Sequence, residues 1–295
     1  MAAYTKSSTD FYQAITNQII QALEAGIKPW VCPWDRTQAT GLPINASTHQ
    51  PYQGMNIMLL WMSAAERKFS SPYWLTFKQA KSLGGNVRKG EKGTTIFFYT
   101  MVQKKEAEGE KEEVYPMLKT YTVFNLDQID GFSLENDETF TPSNEVELLE
   151  EVEAFIQATK AEITYGGQKA FFRPSTDIVV IPDRTRFHST ADLYATIMHE
   201  LTHWSGHKTR LNRDLKGTFG SKDYAQEELV AELGSAFLMA SFGVVGEVQH
   251  ESYIASWLEA LKNDKRYIFK AAAQASKAHQ FLLELTHPVS LAVNS

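Results

Sequence analysis

The sequence predicts an α+β protein of two domains, and two observations support this. The first 130 residues combine helical patterns with strands rich in β-branched and aromatic residues, whereas the rest is mainly helical with a small sheet. The charge is also divided unevenly, since residues 1–130 carry 14 Lys and Arg against 12 Asp and Glu, and residues 131–295 carry 15 against 23. We therefore predict domains at 1–130 and 145–295, joined by an acidic linker at 131–144.

Helices are predicted where apolar residues recur every three to four positions, often behind a capping residue. In chain order they cover residues 10–26, 55–68, 76–84, 143–156, 189–206, 222–242, 250–262 and 264–285. The helix at 189–206 has a capping-box-like start at Ser189 and Asp192 and is expected to end at Gly206. Strands are predicted at 94–102 and 113–125, joined as a hairpin, and at 162–167 and 170–183.

Composition excludes several classes of protein. A hydrophobic content of 43% is ample for packed cores, so the chain is not intrinsically disordered. A single cysteine, Cys32, rules out an intramolecular disulfide and a Cys-rich zinc module. The N-terminus lacks the pattern of a signal peptide, and the longest apolar stretches, such as MNIMLLWM, are too short to span a bilayer. We expect a cytoplasmic protein without a membrane partner.

The segment 197–207 reads IMHELTHWSGH and contains three of the eight histidines. On a helix, His199 and His203 lie four residues apart, so both imidazoles project from one face and can share a cation. Glu200 is rotated by about 100° from His199, which suits a general base that takes a proton from water. Catalytic zinc sites use three protein ligands. The motif therefore predicts a metal site for Zn²⁺, and other divalent ions could substitute.

The third ligand is predicted on the next long helix, in the segment YAQEELVAELGSAF. Glu228 and Glu232 share a face, so one can bind the ion while the other orients a ligating histidine. We assign Glu228 as the ligand and Glu232 as the orienting residue, with the reverse left open, and expect Glu227 to point elsewhere. His207 is not expected to bind, because the matching histidine scheme requires position 209, which is Thr209. Three side chains remain open as stabilisers of an oxyanion: Tyr224, His250 and Tyr253.

Aromatic and basic residues are mixed in the first part of the chain, as is typical of single-strand nucleic-acid binding. Aromatic rings stack on unpaired bases, and Lys and Arg neutralise the backbone. The candidate DNA-binding residues are Trp30, Trp34, Tyr52 and Trp74 together with Lys78, Lys81, Arg88, Lys89 and Lys92. On the residues alone, the alternative of core aromatics and a solvated charged surface stays open.

Four segments together resemble the ArdC-type antirestriction proteins of conjugative plasmids, and the resemblance runs along nearly the whole chain. They are YWLTFKQAKSLGGNVRKGEKGTTIFFY, TVFNLDQIDG, IMHELTHWSGH with RLNRD, and YAQEELVAELGSAFL. The resemblance implies an N-terminal single-stranded-DNA-binding domain followed by a zincin-like metallopeptidase domain. It also implies protection of plasmid DNA from the recipient's restriction enzymes during transfer. The zincin motif of the family falls on His199, Glu200 and His203, with the third ligand in EELVAE.

Three functions remain possible from the sequence. In the first, binding of single-stranded DNA protects the plasmid, and the metal serves structure or another step. In the second, the protein is a DNA-guided metalloprotease that cuts proteins bound to DNA. The third is a peptidase whose first half recognises protein, and the basic glycine-rich turn at 86–93 disfavours it, because a peptide-docking module does not need such a turn.

Overall fold

The computed structural model describes residues 10–30, 41–104, 113–132, 145–215, 221–244 and 253–286. Helices in this part of the chain are α1 (Phe11–Glu24), α2 (Met55–Arg67), α3 (Phe77–Ser82), α4 (Glu145–Ala158), α5 (Thr190–Ser205), α6 (Lys222–Ser241), α7 (Ile254–Asn263) and α8 (Tyr267–Thr286). Strands are β1 (Ile44–Asn45), β2 (Gln50–Pro51), β3 (Tyr73–Thr76), β4 (Asn86–Val87), β5 (Thr94–Lys104), β6 (Glu113–Asn125), β7 (Ile129–Asp130), β8 (Glu162–Tyr165), β9 (Phe171–Arg173) and β10 (Ile178–Ile181). The predicted α+β class is confirmed.

The chain divides into two compact units. The sheet unit comprises Leu42–Thr139, and the helical unit comprises Met1–Gly41 together with Phe140–Ser295. The sequence predicts one domain at 1–130, whereas the described residues 10–30 belong to the same compact unit as the C-terminal part. The predicted linker at 131–144 lies largely outside the described residues, which stop at 132 and resume at 145.

The sheet unit is built on a five-stranded sheet in the order β2-β1-β3-β6-β5. The predicted hairpin of β5 and β6 is its longest antiparallel pair, and β3 pairs with the other edge of β6. Helix α2 is tied to β5 by Asn56, whose side chain donates to Phe97 O at 2.8 Å and accepts from Phe97 N at 3.1 Å. Thr76 and Gln79 form a capping box at the start of α3. Strands β1 and β2 were not predicted, because two residues are too few to display an alternating pattern.

Helix α1 is capped by Asp10, whose side chain accepts a hydrogen bond from the backbone of Gln13. Its apolar face, including Ile19, is buried within the helical unit. The Thr16 hydroxyl donates to Lys265 O at 2.9 Å, and the ring of Phe11 lies 6.3 Å from that of Phe269. The apolar stripe of α1 thus finds its partners at α7 and α8, which is why α1 does not belong to the sheet unit.

The helical unit combines a three-stranded sheet, in the order β8-β10-β9, with α1 and α4 to α8. Strand β10 is parallel to β8 and antiparallel to β9, so the predicted strand pair is a three-stranded sheet. Among the residues that the structure describes, no helix is long and apolar enough to cross a membrane.

Helices α5 and α6 lie close together at one point, and this contact positions the candidate site. A Cβ on Gly234 of α6 would lie 2.5 Å from Thr202 Cγ2 of α5, so only glycine permits this approach. The Ser235 hydroxyl also donates to Ala195 O at 2.8 Å. Helix α5 has the predicted cap, since Ser189 accepts from Asp192 N, and Gly206 is its C-cap. The motif on α5 therefore faces the glutamates of α6.

Candidate metal centre

Helix α5 presents His199 and His203 toward Glu228 of α6. The Nε2 atom of His199 lies 3.5 Å from Glu228 Oε2, and the Nε2 atom of His203 lies 3.6 Å from Glu228 Oε1. One ligand atom from each residue can be chosen so that all three lie within 4.8 Å of one another. Two imidazole nitrogens and a carboxylate oxygen form a donor set that suits a divalent cation such as Zn²⁺. The structure thus brings together the three residues predicted as ligands.

The other nitrogen of His199 faces the second predicted carboxylate. Its Nδ1 atom lies 3.9 Å from Glu232 Oε2, whereas Glu232 Oε1 accepts from the Trp30 indole N–H at 3.3 Å. Glu232 therefore lies on the far side of the His199 ring from Glu228. This arrangement corresponds to the assignment of Glu228 to the ion and Glu232 to the orientation of a histidine.

Glu227 was expected to point elsewhere, and this was wrong. Its Oε1 atom lies 3.1 Å from Nδ1 of His203. Glu227 therefore faces the Nδ1 atom of His203, as Glu232 faces the Nδ1 atom of His199. Arg213 holds the same carboxylate by two contacts, at 2.8 and 3.1 Å. The prediction failed because it considered only the ring nitrogen that faces the ion, although a ligating histidine presents its second nitrogen to another residue. The adjacent pair Glu227-Glu228 was the available signal.

The side chain of Arg213 is buried and held by the end of α5. Its guanidinium donates to Ser205 Oγ at 2.9 Å and to Thr202 O at 2.5 Å. A Cβ on Gly206 would lie 2.8 Å from this guanidinium, so glycine leaves the space that it occupies. A buried charge needs a partner. The opposite charges of Arg213 and Glu227 compensate each other next to Nδ1 of His203.

The electrostatics of the cluster follow from these contacts. Burial alone would lower the pKa of His203, but its hydrogen bond to Glu227 and the nearby charges of Glu228 and Glu227 raise it to about 9. Burial tends to raise the pKa of Glu228, yet its contacts with His199 and His203 hold it at about 2. A cation that binds through Nε2 of His203 must displace a proton from this imidazole, so its uptake would release protons.

Glu200 lies beside the two histidines and is buried, with 5% of its surface exposed. Among the described residues, its Oε2 atom has no hydrogen-bond partner. Glu200 lines a pocket of about 200 Å³ together with the three candidate ligands, Glu227 and the strand β9. A buried carboxylate oxygen without a partner at a pocket wall is placed to accept a proton from a molecule in that pocket.

Two of the three oxyanion candidates line the same pocket. The hydroxyl oxygens of Tyr224 and Tyr253 lie 3.3 Å apart. Burial raises the pKa of both phenols, so they stay protonated and can donate. His250 lies outside the described residues. His207 lies outside the candidate ligand set, with its Nδ1 atom 2.8 Å from the Thr209 hydroxyl.

The aromatic residues predicted to stack on DNA are buried where the structure describes them. Trp74 is fully buried in the central strand β3, and Tyr52 and Trp30 retain only 6% and 2% of their surface. Their assignment to base stacking is corrected, because a ring must expose a face to stack on a base. Tryptophan and tyrosine in a mixed sequence are more often core residues. Trp34 lies outside the described residues.

The basic candidates lie on the surface of the sheet unit. Lys78, Lys81, Lys89 and Lys92 are exposed and, within the described ranges, make no ion pair. Arg88 differs, since it pairs with Glu91 at 2.9 Å and Asp130 at 3.3 Å and donates to Asp127 O. This arginine anchors the turn around Asp127 and is less available to a phosphate than the four lysines.

An exposed aromatic pair on the hairpin was not predicted. Phe98 of β5 and Tyr121 of β6 have 46% and 43% of their surface exposed, and their rings lie 5.6 Å apart. Lys119 is the direct cross-strand partner of Phe98, so it lies on the same face of the hairpin. The signal in the sequence was the two-residue spacing of Lys119 and Tyr121, which places both on one face.

Comparisons with known proteins match both parts of the chain. Residues 9–124 match the family described as the N-terminal domain of anti-restriction factor ArdC, and residues 150–274 match the zincin-like metallopeptidase family. The "Uncharacterized protein y4eC" of Sinorhizobium fredii is 38% identical over 282 residues, covering 92% of this chain and 91% of that protein. A DNA primase TraC of Escherichia coli is 37% identical over 292 residues, which is 92% of this chain but 20% of the primase.

Two crystal structures of the antirestriction protein ArdC from plasmid R388 resemble the chain along most of its length. The metal-free structure has a TM-score of 0.81 at 40% identity and covers 95% of this chain and 98% of that one. The Mn(II)-bound structure has a TM-score of 0.77 at 42% identity and covers 94% and 98%.

Proposed function

Since this chain belongs to the ArdC family of antirestriction proteins, we propose that it protects plasmid DNA from host restriction during conjugation by binding single-stranded DNA. The sheet unit binds the strand, and the helical unit holds a divalent cation. The proposal of a metal site rests on one observation: ligand atoms of His199, His203 and Glu228 lie within 4.8 Å of one another. The proposal of DNA binding rests on family membership, and the exposed lysines of the sheet unit support it.

The residues at the centre fit a divalent cation. His199, His203 and Glu228 would hold it, and Glu227 and Glu232 face the second nitrogens of the two histidines. A bound cation would supply a Lewis acid that polarises a carbonyl group. Glu200 accepts a proton from a water in the pocket at its Oε2 atom, which has no hydrogen-bond partner among the described residues. The phenols of Tyr224 and Tyr253 can donate hydrogen bonds to an oxygen on which negative charge develops.

The proposed DNA-binding surface consists of four lysines and an aromatic pair of the sheet unit: Lys78, Lys81, Lys89, Lys92, Phe98 and Tyr121. The lysines are exposed and make no ion pair with another described residue, so they can neutralise phosphates. The rings of Phe98 and Tyr121 are exposed enough to stack on bases without a sequence preference. Lys119 lies on the face of the aromatic pair and adds a further positive charge.

Salt dependence tests the DNA part. Each lysine that neutralises a phosphate contributes about 0.7 to the slope of log affinity against log salt for single strands. Replacing Lys78, Lys81, Lys89 and Lys92 by Gln should therefore reduce the slope by up to about 3 and weaken binding to an oligonucleotide, as measured by fluorescence anisotropy. The matched control replaces four exposed lysines of the helical unit, namely Lys160, Lys169, Lys208 and Lys277. A slope that stays the same in the first variant, or falls equally in the control, would refute this surface.

A second candidate function is proteolysis of proteins bound to DNA, and the position of Glu200 favours it. A buried carboxylate oxygen at the pocket wall serves no evident purpose in a site that only binds a cation. Under this alternative, DNA binding brings the pocket to its substrate, and cleavage is what protects the plasmid.

The substitution Glu200→Gln separates the two functions. The amide keeps the shape of the side chain but cannot act as a base, so the variant should bind the metal and DNA as the wild type does and lose any hydrolysis. The measurement is survival of plasmid transfer into a restricting recipient, with metal content and DNA affinity determined in parallel. If the variant still protects fully, proteolysis is not the mechanism. If protection falls while both binding activities persist, DNA binding alone does not explain protection.

A further inference from the structure

Glu232 receives a hydrogen bond from a distant part of the chain. The indole N–H of Trp30 donates to Glu232 Oε1 at 3.3 Å, although the two residues are 202 positions apart. The other oxygen, Oε2, lies 3.9 Å from Nδ1 of His199. All three side chains are buried, so these contacts lie in a region from which bulk water is excluded and where each polar contact counts for more.

The indole of Trp30 is held in a defined orientation. Its ring meets the ring of Trp257 edge to face, with centroids 5.6 Å apart and planes at 77°. Trp257 in turn donates from Nε1 to Ala225 O at 2.8 Å. Ala225 belongs to α6, the helix that also carries Glu232. The Trp30 N–H is thus fixed relative to the carboxylate that it contacts.

The orientation of Glu232 matters because an imidazole that binds a cation through one nitrogen carries a proton on the other. That proton needs an acceptor, which sets both the tautomer and the direction of the ring. For His199, Nδ1 lies 3.9 Å from Glu232 Oε2, slightly beyond hydrogen-bond distance, so Glu232 is the carboxylate that faces Nδ1 while Nε2 faces Glu228. By holding Oε1, Trp30 keeps Oε2 on the side of His199.

The neighbouring ligand has the same arrangement with a different donor. Glu227 faces Nδ1 of His203, and the guanidinium of Arg213 holds its carboxylate. The Nδ1 atom of each ligating histidine thus faces a carboxylate, and each of these carboxylates accepts a hydrogen bond from a donor that fixes it. Trp30 holds the carboxylate of Glu232 by a hydrogen bond, as Arg213 holds the carboxylate of Glu227.

We propose that Trp30 is a positioning residue of the metal centre, whose indole N–H orients Glu232 and through it His199. This inference rests on the ligands His199, His203 and Glu228 of the proposed function. Residue 30 falls in the range 9–124 matched by the N-terminal family model, yet it packs in the helical unit. A segment that precedes the sheet unit in the chain therefore contributes to the metal centre.

The test measures the Zn²⁺ dissociation constant of the full chain by competition with a chromophoric chelator. Trp30→Phe keeps an aromatic ring against Trp257 and removes the N–H, so the constant should rise by about 3- to 10-fold, whereas Glu232→Gln should raise it by about 10-fold or more. In the double variant, the rise should equal that of Glu232→Gln alone, because Trp30 acts through this carboxylate.

A merely structural role predicts a different pattern. The proposal would be overturned if the rise caused by Trp30→Phe added in full to the rise caused by Glu232→Gln in the double variant. It would also be overturned if a folded Trp30→Phe protein had an unchanged dissociation constant. Benzothienylalanine at position 30, which has sulfur in place of the N–H in a ring of the same shape, should give the same loss as Phe. Trp61→Phe, at a fully buried tryptophan of the sheet unit, should leave the constant unchanged. A wild-type chain that binds no Zn²⁺ would instead refute the ligand assignment itself.

Discussion

At the scale of single residues, the two histidines show how one side chain makes two different contacts. Nε2 of each ring faces Glu228, whereas the Nδ1 atoms face Glu232 and Glu227. The spacing of four residues in the sequence predicts only the first kind of contact, because it concerns the face that the rings share. The second contact depends on a neighbouring helix. Glu227 and Trp30 therefore acquire their places near the metal centre from packing.

His279 leads to a prediction about pH. It is buried in α8, with its Nε2 atom 2.7 Å from the Ser241 hydroxyl, and burial lowers its pKa to about 4 from an ordinary value of 6.5. Below pH 6.5 the unfolded chain takes up a proton on this histidine that the folded chain excludes. This histidine therefore supports the fold above pH 6.5, and that contribution is lost as the pH falls toward 4.

Between pH 7.5 and pH 5, His279 should lower the free energy of unfolding by about 2 kcal/mol. Urea denaturation at the two pH values measures this, and His279→Gln should lack this part of the pH dependence. The exposed His188, replaced by Gln, serves as the control and should keep it. An unaltered pH dependence in His279→Gln would mean that this side chain is not the group that titrates.

At the scale of elements, α1 has a position that its sequence does not disclose. The capping residue Asp10 and the apolar spacing predict the helix itself, because both signals are local. Which surface the apolar face covers depends on α7 and α8, more than two hundred residues later in the chain. There the side chain of Lys262 lies 2.6 Å from that of Glu24, at the end of α1. The segment that leads from α1 to Trp30 is thereby held in the helical unit.

Ile19→Ala tests the docking of α1. Ile19 is fully buried, and truncation of such a side chain costs about 2–5 kcal/mol. Hydrogen exchange measured by mass spectrometry should show faster exchange in peptides from α7 and α8 and unchanged exchange in the sheet unit. Gln21→Ala, at an exposed position of the same helix, is the matched control. Faster exchange confined to the sheet unit would contradict the assignment of α1.

At the scale of the whole molecule, the two units should respond differently to metal. The candidate ligands all belong to the helical unit. A ligand that binds only the folded state stabilises it by about 2.7 kcal/mol at 100 times its dissociation constant. Zn²⁺ at that concentration should therefore raise the unfolding temperature of the helical unit and leave that of the sheet unit unchanged.

Differential scanning calorimetry of the full chain, with hydrogen exchange to assign the transitions, measures this effect. The control is His199→Ala, which should abolish the shift. If the variant is still stabilised to the same degree, or if the sheet unit is the one that shifts, the cation binds at another place.

The sequence by itself determined the α+β class, most of the helices, the β5–β6 hairpin and the pair His199 and His203. These features depend on caps, periodicity and spacing between residues that are close in the chain. The tertiary structure alone decided the contacts of Glu227, the place of Trp30 and the burial of Tyr52 and Trp74. The physical reason is that each depends on a contact between residues far apart in sequence, and local patterns do not specify which apolar face or ring nitrogen meets which partner.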